Sequence, residues 1–322
     1  MEEKIVHVIN EMAEVLNISQ LKRLQEVLLN NFSDNTLDQK VITNEEYLEY
    51  FIVAKKIEGC SDRTIDYYRV TVKHFLSKVE DSVRKIPTET IRQYLMDYQA
   101  INNCSNVTID NIRRNISSFF TWLEEEDYIL KSPMRRIHKI KSKQTVKEVI
   151  TDEDIEKIRD ICDTKRDLAI IDLLYSTGMR VGELVNLNIQ DINFSDRECV
   201  VFGKGESERV VYFDARCKIH LQQYLATRCD DNPALFVRFR KPYDRLGING
   251  VEIRLKKLGE KSNVRNVHPH KFRRTLATKA IDKGMPIEQV QMLLGHVQID
   301  TTMQYAMVNQ SNVKIAHRKF IS

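Results

Sequence analysis

Between His268 and Tyr305 the sequence is punctuated so densely that only short helices joined by sharp turns can form there. Pro269 disfavours helix at His268, and the residues from His270 to Lys283 carry a helical apolar pattern at Leu276, Ala277 and Ala280. Pro286 can open a second helix, with Val290, Leu293 and Leu294 on its buried side and Gly295 as a left-handed stop. Asp300 is expected to cap a last helix, with Tyr305 just over one turn inside it. His270 and Arg273, three apart, share a helix face, and His296 stands just beyond a helix end on exposed backbone. Two imidazoles, a guanidinium and a phenol are thereby brought out on firmly bounded elements.

Two further stretches lie upstream. Arg166 to Ser176 reads as a mostly buried helix through Leu168, Ile171 and Leu174, and Thr177-Gly178 breaks it. Arg180 then follows a tight turn, with Glu183 one turn on, near enough to orient Arg180 or to hold a neighbouring His. Alone, that pair reads as a plain helical ion pair. Further on, Cys199–Phe202 and Arg209–Phe213 are β-branched runs flanking Gly203-Lys-Gly-Glu-Ser-Glu208, which predicts a hairpin with Lys204 at its turn. A lone turn lysine ordinarily faces solvent.

In this order and spacing, His270-Lys-Phe-Arg-Arg274, Leu293-Leu-Gly-His296 and a Tyr nine residues past that His resemble the C-terminal signature of tyrosine recombinases, the phage-integrase type. Ser176-Thr-Gly-Met-Arg180-Val-Gly-Glu183-Leu looks like that family's first arginine box, and Gly203-Lys204-Gly205 like its lysine turn. The resemblance runs from residue 41 to the end, with one departure, Arg274, where many members carry a second His. It implies a catalytic set of Arg180, Lys204, His270, Arg273, His296 and Tyr305, with Glu183 in support. It also implies a site-specific recombinase or integrase acting on double-stranded DNA through a 3′-phosphotyrosine, with no metal, ATP or other cofactor.

The residue types suit that chemistry. A phosphodiester is anionic, so its cleavage needs the charge building on the non-bridging oxygens neutralised. Arg180 and Arg273 can each fork two N–H donors onto phosphate. His270 and His296 can add hydrogen bonds, and His270 can also shuttle the nucleophile's proton. A phenol of pKa ~10 attacks poorly while neutral, so a cationic pocket that stabilises phenolate is what Tyr305 requires. The leaving 5′ oxygen needs a proton, a task for Lys204 as general acid.

Three alternatives fit parts of the same sequence. Zinc on His268, His270 and His296 is disfavoured, because His268-x-His270 is no helical i, i+4 pair and Lys271, Arg273 and Arg274 crowd the place with positive charge. A non-catalytic helix-turn-helix regulator would explain Gly295 but not the order of Arg, Lys, His and Tyr. A type IB topoisomerase shares the chemistry and would relax DNA without strand exchange.

Around these motifs the chain of 322 residues is expected to be mainly α with a small β-sheet, built as two domains. Residues 1–40 form an acidic helical segment of net charge −3, with apolar positions such as Ile5, Val8, Met12, Leu21 and Leu28, suited to interaction or packing. Residues 41–130 predict a four-helix domain, and the family resemblance implies that it is a core-binding domain that clamps DNA. Its helices begin at Asn44, after Ser61, at Pro87 and at Ser105, and Arg63, Arg69, Lys73, Arg113 and Arg114 are candidate phosphate contacts. Residues 131–147 hold seven Lys or Arg and no acid, a basic linker able to follow a phosphate backbone through Arg135, Arg136, Lys139 and Lys141. Residues 148–322 form the catalytic domain and its tail.

Six cysteines at 60, 104, 162, 199, 217 and 229 form no C-x-x-C pair and read as reduced, structural thiols. With no membrane-length apolar run and no signal-peptide pattern, a cytoplasmic, nucleoid-associated protein is expected. The family resemblance adds a homo-tetramer on two DNA sites, coupled through the C-terminal tail in trans, and leaves room for accessory proteins.

Overall fold

In the computed structural model, which describes residues 2–32, 42–141, 148–203, 208–296 and 298–303, the chain divides into two units, Met1–Gln144 and Thr145–Ser322. The first is wholly helical among its described residues. Helices α1 (Glu2–Met12) and α2 (Ile18–Phe32) pack on each other. They are followed by α3 (Asn44–Ile57), α4 (Asp62–Leu76), α5 (Thr88–Asn102) and α6 (Asn106–Glu125). Local chemistry sets the boundaries of these four. Thr43 and Glu46 form a reciprocal capping box at the start of α3, and Ser105 accepts from the Thr108 N–H to start α6. Asn103 ends α5 in the left-handed conformation.

The apolar faces of α3 to α6 meet in one core. Phe51, Phe75, Phe119 and Phe120 are fully buried there, each worth about 1.5–3 kcal/mol of burial. Asn115 is buried too, and its amide donates to the Thr71 hydroxyl at 3.1 Å, which ties α6 to α4. Residues 131–141 pack along this unit. Met134, in a 3₁₀ turn over Pro133–Arg136, is buried, the Ile140 N–H donates to Asp110, and the Lys141 carbonyl accepts from Asn106.

The second unit is organised around α8 (Lys165–Thr177), whose residues Ala169 to Leu174 are all buried. It packs against α10 (Ala215–Leu225) and α12 (Pro269–Asp282), with α7 (Asp152–Asp160), α9 (Val181–Asn186) and α11 (Ile248–Lys261) around them. Its buried charges are partnered: Asp172 accepts from Arg159 at 2.7 Å and pairs with His220, and Asp167 accepts from Arg254 at 2.7 Å. A three-stranded antiparallel sheet, β1 (Ile192–Asn193), β2 (Glu198–Phe202) and β3 (Glu208–Tyr212), lies in that order, with Val200 opposite Val210. Cys199, Val201 and Val211 face the core, the period of two that the β-branched runs predict. Helices α13 (Ile287–Leu294) and α14 (Ile299–Met303) complete the described residues.

The fold class is therefore the expected one, mainly helical with a small sheet. Several local expectations change. Pro286 is the N-cap of α13 rather than its first residue, and Leu293 is only half-buried because it stands at the helix's open end. Asp300 does not cap α14, which already starts at Ile299. The strand β1 and helices α10 and α11 were not anticipated. All six cysteines are free, and burial pushes the Cys162 and Cys199 thiols up to about 12, so they stay protonated. No helix among the described residues is long and apolar enough to cross a membrane.

Candidate active site

Gly178 ends α8 with φ 61°, a left-handed backbone conformation that calls for glycine. The turn it makes delivers Arg180 to the N-cap of α9, with Glu183 as the third helical residue. Glu183 accepts from the Arg180 N–H at 2.7 Å and from Arg180 Nη1 at 2.8 Å. It is more than an ion pair on a helix surface. The carboxylate is buried, and Arg209 of β3 grips its other side with Nη1 and Nη2, both at 2.7 Å. Burial works to raise the Glu183 pKa, but the donors on Arg209 and Arg180 outweigh it, so the group stays below the usual carboxylate range.

Arg273 lies on α12 and is 1% exposed. Its Nη1 donates to the Gly178 carbonyl at 2.9 Å and its Nη2 to the Leu294 carbonyl. The end of α13 proves to be the assembly point. Three successive carbonyls accept three guanidiniums: Leu293 from Arg209 at 3.2 Å, Leu294 from Arg273, and Gly295 from Arg180 at 3.0 Å. A helix C-terminus leaves its last carbonyls without intrahelical donors and carries partial negative charge, so cations belong there. Gly295 turns the chain out of the helix at φ 64°.

That turn sets His296 immediately beyond. Its backbone is held by Gln291 on both sides, with the His296 N–H donating at 3.2 Å and the His296 carbonyl accepting the Gln291 amide at 2.9 Å. Nδ1 of its ring is hydrogen-bonded to Thr302 Oγ1 at 2.8 Å. Burial, then the charges of Arg273, Arg180, Arg209 and His270, push His296 down to about 4. His270, exposed on α12, is also lowered, first by partial desolvation and then by Arg273, His268, Arg274 and Arg180. Both imidazoles are therefore neutral near pH 7, able to accept a proton or offer one N–H. His268 instead turns Nδ1 to the Asn266 carbonyl at 2.6 Å, and Arg274 donates to the Glu148 carbonyl.

Arg180, Glu183, His270, Arg273 and His296 thus converge as the spacing predicted. Lys204 and Tyr305 lie outside the described residues. In sequence Lys204 lies between β2 and β3, and Thr302, fully buried in α14, precedes Tyr305 by three positions. Sequence reasoning missed Arg209. Its one signal was a charged residue opening a β-branched run, which does not name a partner.

The candidate phosphate contacts of the first unit divide into two groups. Arg63, Lys73, Arg114, Arg136, Lys139 and Lys141 have exposed side chains. Arg69 pairs with Glu49, Arg113 with Asp110 at 2.8 Å, and Arg135 with Glu124, which offsets part of their charge. Arg113 and Arg114 also line a polar groove of about 600 Å³ between α4 and α6, with Tyr67, Ser118 and Thr121.

The profile of the phage integrase family matches residues 148–312, and that of the phage integrase N-terminal SAM-like domain matches residues 47–130. The chain is 31% identical over 285 residues to tyrosine recombinase XerA of Pyrococcus horikoshii, covering 88% of this chain and 96% of that one. It is 28% identical over 292 residues to tyrosine recombinase XerC of Oceanobacillus iheyensis, covering 85% and 95%. In fold it matches the XerH site-specific recombinase bound to a palindromic difH substrate, with TM-score 0.69 and 19% identity over 99% of this chain and 95% of the other. The chain belongs to the phage integrase family of tyrosine recombinases.

Proposed function

We propose that this chain is a site-specific DNA recombinase that cuts and rejoins strands of double-stranded DNA through a 3′-phosphotyrosine on Tyr305. The observation that carries the reading is the gathering of Arg180 and Arg273, with His270 and His296 beside them, on one helix end. Such a cluster suits a single anionic phosphodiester. Arg180 and Arg273 neutralise its non-bridging oxygens, and the neutral imidazoles add hydrogen bonds, His270 also taking the phenol's proton. Tyr305 attacks phosphorus, the bond to the 5′ oxygen breaks, and Lys204 protonates that oxygen as it leaves. The ester keeps the bond's energy, so another strand's 5′-OH reseals it without ATP or metal. A helix-turn-helix regulator would have no use for a buried, doubly hydrogen-bonded Arg273.

In this reading residues 41–130 are the DNA-clamping domain, 131–147 a basic linker along the phosphate backbone, and 148–322 the catalytic domain. The role of residues 1–40 is packing or interaction. The exposed cations Arg63, Lys73, Arg114, Arg136, Lys139 and Lys141 contact phosphates, joined by Arg69, Arg113 and Arg135 when DNA displaces their acidic partners. The working assembly is a homo-tetramer on two DNA sites in the nucleoid, with residues 311–322 docking in trans and room for accessory proteins. The test is to trap covalent protein–DNA adducts on a nicked substrate and sequence the strand attached to the protein. An adduct on the 3′ side, formed in the presence of chelator, is expected; no adduct from the unaltered protein would overturn the reading.

A further inference from the structure

Glu183 creates an electrostatic difficulty for a phosphate site. A carboxylate that orients Arg180 also opposes the anion Arg180 has to bind, and one carboxylate cancels one guanidinium. Arg209 offers the offset. Its side chain is 11% exposed against 39% for Arg180, and Glu183, the most buried of the three at 3%, is held between the two guanidiniums. All three guanidinium nitrogens of Arg209 are engaged, two on Glu183 and Nε on the Leu293 carbonyl. Arg180 spends Nη1 on Glu183 and Nη2 on the Gly295 carbonyl, and it is the one that faces outward. With the Arg180 N–H added, Glu183 receives four donors, two on each oxygen, which saturates it.

We infer that Arg209 is a positioning residue for strand cleavage: it supplies the second positive charge that lets Glu183 orient Arg180 without cancelling it. Two guanidiniums around one carboxylate leave a net positive charge, carried on the outer group. Remove Arg209, and the buried carboxylate draws Arg180 inward and neutralises it. The three guanidinium nitrogens of Arg209 are committed to Glu183 and the Leu293 carbonyl, so its effect on the phosphate passes through Glu183 and Arg180. It also pins β3 to the end of α13, five positions along the sequence from Lys204. The inference rests on the strand-cleavage reading above.

The test uses the full chain in single-turnover cleavage at saturating DNA, with thermal midpoints measured in parallel. Two substrates are compared, one with an ordinary scissile phosphodiester and one with a neutral methylphosphonate at that position, which no longer needs its charge balanced. Arg209→Gln is expected to slow phosphodiester cleavage by about tenfold to a hundredfold, and methylphosphonate cleavage by less than about threefold. Arg209→Lys keeps the charge and is expected to lose less than Arg209→Gln on the phosphodiester. The double variant Glu183→Gln/Arg209→Gln, in which the opposing charge is gone, is expected to cut faster than Arg209→Gln alone. Equal losses on both substrates, equal losses for Lys and Gln, or a double variant slower than Arg209→Gln would each overturn the assignment. Failure of the unaltered protein to cut the phosphodiester would instead overturn the functional reading beneath it.

Discussion

Nη2 of Arg180 donates to the backbone carbonyl of Gly295 at 3.0 Å, across 115 positions of chain. The same guanidinium is held by Glu183, so Arg180 is fixed at once by its own helix and by the end of a distant one. Arg273 bridges the same two places from the other side, donating to Gly178 and Leu294. The site is thus defined by backbone carbonyls as much as by side chains.

The nucleophile is the first thing to test. Tyr305→Phe removes only the phenol oxygen, and DNA affinity is expected to persist while covalent adducts vanish. Denaturant-resistant complexes from the variant would show that another group attacks.

Arg180→Lys and Arg273→Lys keep a charge but lose the planar fork. Each is expected to slow cleavage by about a hundredfold or more. Arg273→Lys should also lower the thermal midpoint, since a buried lysine cannot span the Gly178 and Leu294 carbonyls together. Near-normal single-turnover rates in both would remove these residues from the site.

Gly295→Ala sets a Cβ at φ 64°, 2.9 Å from Arg209 Cδ. A destabilisation of roughly 1–3 kcal/mol is expected, measured by denaturant titration. Gly182→Ala is the control: it lies in α9, where a Cβ would meet nothing within 4 Å, and its stability should hold or rise by about 0.4–1 kcal/mol. Equal behaviour of the two would mean that the turn at Gly295 is unstrained by a side chain.

His296 ties the site to pH. Burial and the surrounding arginines hold it at about 4 against an ordinary 6.5. Between those values the unfolded chain takes up a proton that the folded chain refuses. Stability from this group is therefore complete above pH 6.5 and declines as the medium is acidified towards 4. Thermal midpoints across this range should fall less steeply for His296→Gln than for the unaltered protein. Parallel curves would show that His296 does not titrate in this way.

Lys204→Ala should recover cleavage on DNA whose leaving 5′ oxygen is replaced by sulfur, because a thiolate departs without a proton. Single-turnover rates on the two substrates measure it, and an unrescued variant would take the general-acid role from Lys204.

What was legible in the sequence obeys local rules. Gly178 and Gly295 mark left-handed stops, and Ser105 marks a helix start, each within three or four residues of its effect. His270 and Arg273 followed from helical spacing. Arg209 was not legible, because its partners Glu183 and Leu293 lie 26 and 84 positions away and nothing local distinguishes it from a solvated strand cation. The pairing of Arg69 with Glu49, 20 positions away, was hidden for a similar reason, whereas Asp110 and Arg113 are a helical i, i+3 pair within reach of spacing. Asp300 misled because a good capping residue was read as a cap when α14 begins one residue earlier.

The three carbonyls at the end of α13 also set an order of events during synthesis. Arg180 leaves the ribosome 115 residues ahead of Gly295, and Arg209 leaves 84 ahead of Leu293. A growing chain has therefore made these guanidiniums long before the acceptors that aim them. Until α13 has emerged and folded onto α12, the half-made protein carries basic groups that can touch nucleic acid but no constellation that can break it. Strand-cutting chemistry is thus withheld from the nascent polypeptide until α13 has been translated.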